Sequence, residues 1–164
     1  KEIKDARQIR RAIGDAFERC MTSSFSPGAT SQQREALTFV VVGGGATGVE
    51  FAGELTDFLR DTTQRFYPSL ADVPRVVLVH SGPGLLPQFD DRLRDEARLS
   101  LESRGVEVLL STRCVRVDPD HITVRTRQKE TNDDNDSDPP LPNSRSSLDP
   151  QTIPSRVVIW TAGT

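Results

Sequence analysis

The segment Gly43-Gly44-Gly45-Ala46-Thr47-Gly48 places glycines at the spacing G-x-G-x-x-G. Each glycine has a physical task. Gly43 allows a tight turn out of a strand, Gly45 lets backbone N–H groups approach a pyrophosphate with no Cβ in the way, and Gly48 lets the next helix pack close to that strand. Unpaired amides through Ala46, Thr47 and Val49, together with the positive end of the helix, then face the phosphates. No Gly-Lys-Ser/Thr follows, which excludes a P-loop. The chemistry this loop could serve is dinucleotide binding.

The usual partner of such a loop is an acid ending the second strand, which binds the adenine ribose hydroxyls. His80 stands there, followed by Ser81. Without the carboxylate, a 2′-phosphate is not repelled and the 2′-OH loses an acceptor, so discrimination between NADH and NADPH should weaken. Ser81 with Arg92 or Arg94 could meet that phosphate. The alternative is that His80 only ends a strand while a backbone group holds the ribose. Glu50, two residues past Gly48, carries two readings as well: a carboxylate complementing the helix N-terminus, worth about 0.3–1 kcal/mol, or a functional group of the site. His80-Ser81 lacks a G-x-S-x-G elbow and a third residue, so it is no nucleophile and base.

These residues need elements to position them. Thr38–Val42 is a β-branched and aromatic run entering the glycines, and a helix over 47–60 follows, with Ala52, Leu55, Phe58 and Leu59 on one face. Strand signals recur at 75–80, 106–110 and 156–160. A helix over 91–104, capped by Asp90 and ended by Gly105, carries Leu93, Ala97 and Leu101. This alternation predicts an α/β fold: a Rossmann-like parallel sheet with helices on one face. An antiparallel hairpin over 112–127, turned at Asp118-Pro119-Asp120, with a third strand near 151–154, would cross the other face as a β-meander. A helix over 1–21 leads in, and 23–35 reads as a loop. Residues 128–150, dense in Asp, Asn, Ser and Pro, read as a disordered acidic insertion. Asp134, Asp136 and Asp138 have D-x-D-x-D spacing. Pro139 and Arg145, however, occupy the places of the required Gly and Glu, so no metal site is assigned.

At 164 residues the chain suits a single domain, 1–164, burying about two-thirds of its unfolded surface. With 21 Lys or Arg against 24 Asp or Glu, it is no electrostatic nucleic-acid binder. Its apolar runs of four residues fall far short of the roughly 20 that a membrane helix needs. Cys20 and Cys114 fit packing rather than a disulfide framework or zinc site. The start at Lys1, with no Met or leader pattern, reads as a piece of something longer.

Several blocks are more specific than the glycines. Lys1-Glu2-Ile3-Lys4-Asp5-Ala6-Arg7-Gln8-Ile9-Arg10 and Leu37 through Leu55, with Val49-Glu50-Phe51-Ala52-Gly53-Glu54-Leu55 continuing the turn, resemble the type II NADH:ubiquinone oxidoreductases. These are the alternative, non-proton-pumping NADH dehydrogenases. Tyr67-Pro68, Leu86-Pro87-Gln88-Phe89-Asp90 and Trp160-Thr161-Ala162-Gly163 are also similar to that family. The resemblance implies the NAD(P)H-binding domain of a flavoprotein whose FAD domain flanks this chain. The whole enzyme would pass a hydride from NADH or NADPH to FAD and electrons on to a quinone, at the mitochondrial inner-membrane surface. It implies membrane contact only through other segments, and leaves a homodimer open. It places the nicotinamide toward Glu50 and Ala162-Gly163, Glu50 serving as the catalytic residue, and puts His80 where the family has its strand-end acid. Some relatives carry a calcium-binding EF-hand in this domain, but 128–150 lacks the ligands. Two other classes remain: a nucleotide-sensing or interaction module, and another pyridine-nucleotide reductase. The latter is disfavoured, since no Cys-x-x-Cys or Cys-x₄-Cys pair is present.

Overall fold

The structure, a computed structural model, describes residues 3–22, 31–127 and 149–163. Its elements run α1 (Ile3–Thr22), α2 (Ser31–Ala36), β1 (Thr38–Val42), α3 (Ala46–Phe66), β2 (Arg75–Val79), α4 (Asp91–Ser103), β3 (Val106–Leu109), β4 (Thr112–Val117), β5 (His121–Thr126), β6 (Gln151–Pro154) and β7 (Val157–Trp160). A four-stranded parallel sheet has the order β3-β2-β1-β7, and β4-β5-β6 form a separate antiparallel sheet. The expected α/β architecture is what is observed.

Burial explains the strand sequences. Phe39, Val41, Val76 and Leu78 point into a core shared with α1, α3 and α4, while Val40, Val42, Val77 and Val79 meet Ile122, Val124 and Ile153 of the meander. Both faces of β1 are therefore covered, and every residue from Thr38 to Val42 is buried. A strand dry on both faces reads as a continuous apolar run instead of an alternation. Each such side chain contributes about 1.5–3 kcal/mol through burial.

Four expectations need correction. Residues 31–35 were expected in a loop, but they lie in α2, which packs on α1, with Gln33 buried. α3 runs to Phe66, past the expected end at 60. It continues because Thr63, wholly buried, returns its hydroxyl to the Leu59 carbonyl at 3.0 Å and so costs no unsatisfied group. Tyr67 then leaves the helix to stack on Phe17, ring centroids 4.9 Å apart, and Pro68 prevents continuation. The third concerns packing faces: Phe58 and Leu93 stay about half exposed, because α3 and α4 seal the sheet through Ala52, Leu55, Leu59 and Leu101. Finally, α1 is more than a lead-in, since Ile13, Ala16, Phe17 and Cys20 are built into the helical side of the core. The insertion assigned to 128–150, with Asp134, Asp136 and Asp138, falls almost entirely outside the described residues.

Candidate dinucleotide site

β1 lies between β2 and β7, so its carboxyl end delivers the glycine turn to the middle of the sheet edge. Gly43 has φ +120°, and a Cβ there would stand 2.6 Å from the Ala162 nitrogen and 2.7 Å from Thr161 Oγ1. Only glycine fits. A Cβ on Gly48 would overlap the Gly43 carbonyl oxygen, so α3 starts against the turn itself. Gly45 differs from both. It ends the turn in extended backbone (φ −78°, ψ −179°), provides no side-chain cap, and faces open space. The Gly48 and Val49 amides close onto the Gly45 carbonyl at 3.0 Å, whereas those of Ala46 and Thr47 find no acceptor among the described residues. An uncapped helix start over an open glycine is an anion cradle.

β7 completes the edge. The amides of Thr161 and Ala162 donate to the Val42 carbonyl at 2.8 and 2.9 Å. Thr161 Oγ1 lies 3.0 Å from that oxygen and 3.2 Å from the Gly43 carbonyl. Ala162 thus sits against the glycine turn, and Gly163 follows it exposed, with φ +49°. Glu50 is exposed on α3. It lies beyond the first helical turn, which holds no acid, so it does not have the position proposed for complementing the helix dipole.

At the end of β2, His80 has a task the sequence did not disclose. The Gly44 amide donates to its Nδ1 at 3.1 Å, and a Cβ on Gly44 would lie 2.6 Å from the imidazole ring. The acceptor nitrogen must be bare, so the proton is on Nε2 and the ring is neutral. Burial pushes the His80 pKa down; the Gly84 backbone pulls it up, and the Arg94 charge pushes it down again. Ser81 is exposed beside it. Leu86 N–H reaches the Gly44 carbonyl at 2.8 Å, so loop 81–90 is fastened to the glycine turn. Neither arginine proposed for a 2′-phosphate is free: Arg92 pairs with Glu96 at 3.1 Å, and Arg94 with Asp91 at 2.7 Å and the Leu85 carbonyl at 3.1 Å.

A cleft of about 160 Å³ beside the turn is lined by Gly43, His80, Ser81, Arg113, Cys114 and Ala162, among others. A larger cavity of about 490 Å³ opens at the amino end of the sheet, far from the glycines, between α1, α2 and the β5–β6 edge. Burial pushes the thiols of Cys20 and Cys114 above their ordinary range, in keeping with packing roles. Among the described residues, no three His, Cys, Asp or Glu side chains come together to hold a metal, and no helix is long and apolar enough to cross a membrane. Thr161 is the site residue that sequence reasoning missed; its place directly before Ala162-Gly163 was the available signal.

Comparison with known proteins agrees with this geometry. Over a match of 164 positions covering 99% of the chain, the sequence is 34% identical to the mitochondrial external alternative NAD(P)H-ubiquinone oxidoreductase B1 of Arabidopsis thaliana, spanning 25% of that protein. It is 38% identical over 122 residues, 74% of the chain and 20% of the relative, to the mitochondrial external alternative NADH-ubiquinone oxidoreductase of Yarrowia lipolytica. The fold superimposes on NDH2 from Plasmodium falciparum, solved in complex with NADH, with a TM-score of 0.80 at 23% identity, covering 99% of this chain and 29% of that one. The chain thus spans about a quarter of the length of the curated relatives it matches. These relatives are of the kind that the sequence blocks resembled. The pattern of the pyridine nucleotide-disulphide oxidoreductases matches residues 5–164, and the chain belongs to that family.

Proposed function

We propose that this chain is the NAD(P)H-binding domain of a flavin-dependent oxidoreductase that takes electrons from NADH or NADPH and delivers them to a quinone at the mitochondrial inner-membrane surface. The observation carrying this reading is the open cradle: Ala46 and Thr47 amides that find no acceptor among the described residues, over Gly45, whose missing side chain leaves space that no described residue fills. A pyrophosphate fits it in charge and in shape.

The nicotinamide half would extend from the cradle along β7 toward Ala162 and Gly163, with the adenosine half toward His80 and Ser81. Bound nicotinamide supplies hydride chemistry, and FAD held by another part of the whole protein supplies its acceptor. The residues of this chain bind and orient. Thr161 and Ala162 tie β7 to the turn so that the exposed edge is rigid, and Glu50 stands as the carboxylate on the cofactor helix. The relatives are ubiquinone oxidoreductases by name, which supports the quinone assignment.

The test is titration of the FAD-loaded full-length protein with NADH and NADPH, followed by nucleotide fluorescence and by flavin bleaching. Saturable binding and bleaching are expected with one or both nucleotides. Binding with no bleaching would instead indicate a nucleotide-sensing module. Failure to bind either would refute the reading.

A further inference from the structure

The antiparallel register sets Arg113 of β4 directly opposite Arg125 of β5. Both are exposed, and Arg127, two residues beyond Arg125, is exposed as well. Like charges facing one another across an antiparallel pair destabilise it. Nothing offsets this pair: among the described residues, the side chains of Arg113, Arg125 and Arg127 make no ion pair or hydrogen bond. Other arginines do meet acids, Arg75 with Glu107, Arg98 with Glu102, and Arg104 with Asp57.

The location of this unmatched charge is fixed by three backbone hydrogen bonds. Thr112 N–H reaches the His80 carbonyl, Ser111 N–H the Gly82 carbonyl, and Arg127 N–H the Ser111 carbonyl, each at 2.8 Å. The arginine end of the hairpin is therefore stitched to the end of β2, and Arg113 lines the same cleft as His80 and Ser81. A dinucleotide lying over the glycine turn brings its adenine ribose to the end of β2. No carboxylate ends that strand, and on α4 Arg92 and Arg94 already pair with Glu96 and Asp91.

We infer that Arg113, backed by the charges of Arg125 and Arg127, binds the adenosine 2′-phosphate of NADPH. This rests on the dinucleotide reading above. A guanidinium fork pairs two N–H groups with a phosphate. An anion between Arg113 and Arg125 would also relieve their repulsion. The residues that set nucleotide choice thus lie on the meander, far along the chain from the strand end where an acid would signal it.

The probes are NADH and NADPH, together with ADP-ribose and its 2′-phosphate, titrated by calorimetry into the FAD-loaded full-length protein at two salt concentrations. In the unaltered protein, the phosphorylated member of each pair should bind with the steeper salt dependence. Arg113→Ala should weaken NADPH and 2′-phospho-ADP-ribose roughly ten- to hundred-fold, with NADH and ADP-ribose changing less than about two-fold. Arg113→Lys should recover part of the loss. Retained NADH binding shows that each variant is folded. Equal loss of both nucleotides, or loss of neither, overturns the assignment while the dinucleotide reading stands. NADH binding with no NADPH binding by the unaltered protein does the same. An unaltered protein that binds neither nucleotide overturns both.

Discussion

Gly44 donates its amide to Nδ1 of His80 at 3.1 Å, and the imidazole fills the space that a side chain on Gly44 would need. The middle glycine of the turn and the residue directly after β2 therefore form one unit. Where an acid would reach outward to a ribose, this histidine reaches inward and braces the loop that holds the phosphates.

Acid should loosen that brace. Burial, the leading cause, holds the His80 pKa in the folded chain below its ordinary value of 6.5. Between the folded pKa and 6.5, the unfolded chain binds more protons, so stability is full above 6.5 and falls as pH drops toward the folded pKa. Urea denaturation at pH 7.5, 6 and 5 should show this fall, and His80→Gln should flatten it. An identical slope in both proteins would assign the loss to other groups.

The glycines of the turn should separate binding from folding. Gly45→Ala puts a methyl into open space at an ordinary φ, so its cost is limited to the weaker helix cap, about 1 kcal/mol or less. The same methyl obstructs the cradle, and nucleotide affinity should fall at least ten-fold. Gly48→Ala drives a Cβ into the Gly43 carbonyl and should destabilise the chain by about 1–3 kcal/mol. Thermal melts and nucleotide titrations of the two variants check the contrast.

Ser155 joins elements far apart in sequence. Its buried hydroxyl lies 2.9 Å from the Thr38 carbonyl and 3.0 Å from that of Val157, and its amide donates to the Asp120 carbonyl at 2.9 Å. Ser155→Ala removes this buried side-chain donor and should cost about 1–3 kcal/mol. The denaturation midpoint should fall while nucleotide affinity is kept, because the carboxyl edge lies at the other end of β1 and β7.

Glu50 should behave in the opposite way. It is exposed on α3 and holds up nothing in the core. Glu50→Gln should leave the melting temperature within about 1 °C, in line with small effects at surface positions. Nucleotide affinity should stay within about three-fold. Flavin reduction in the full-length protein, followed by stopped flow, should slow by about ten-fold or more, in the range of a group acting on the reacting atoms. An unchanged rate would return Glu50 to the role of a solvated helix carboxylate.

The alternation of strand-like and helix-like periods was enough to order the elements, because a sheet covered on both faces requires unbroken apolar strands such as Phe39–Val42 and Val76–Val79. The hairpin turn at Asp118-Pro119-Asp120 was equally legible: Asp118 N–H meets the His121 carbonyl at 2.9 Å. So were both ends of α4, where Asp90 accepts the Leu93 amide at 3.0 Å and Gly105 takes φ +92°. Local chemistry decides such features within four residues. α2 was not legible, since five polar residues and one alanine have no apolar period and form a helix only by packing on α1. The length of α3 was hidden as well, because Thr63 is helical only once its hydroxyl is buried and returned to Leu59.

At the site, the glycine spacing by itself determined where a phosphate can approach, since the absence of a Cβ is a property of the residue. The residue order also determined that no acid follows β2, since His80 stands there. Direction, partner and charge balance were decided only by the tertiary structure. His80 faces Gly44, 36 positions away, and Arg113 stands across from Arg125 with no ion pair among the described residues, because strand register and loop attachment bring together residues well separated along the chain. A hydrogen bond or a repulsion depends on distance in space, and a linear spacing carries that distance only within one turn of a helix or one tight loop.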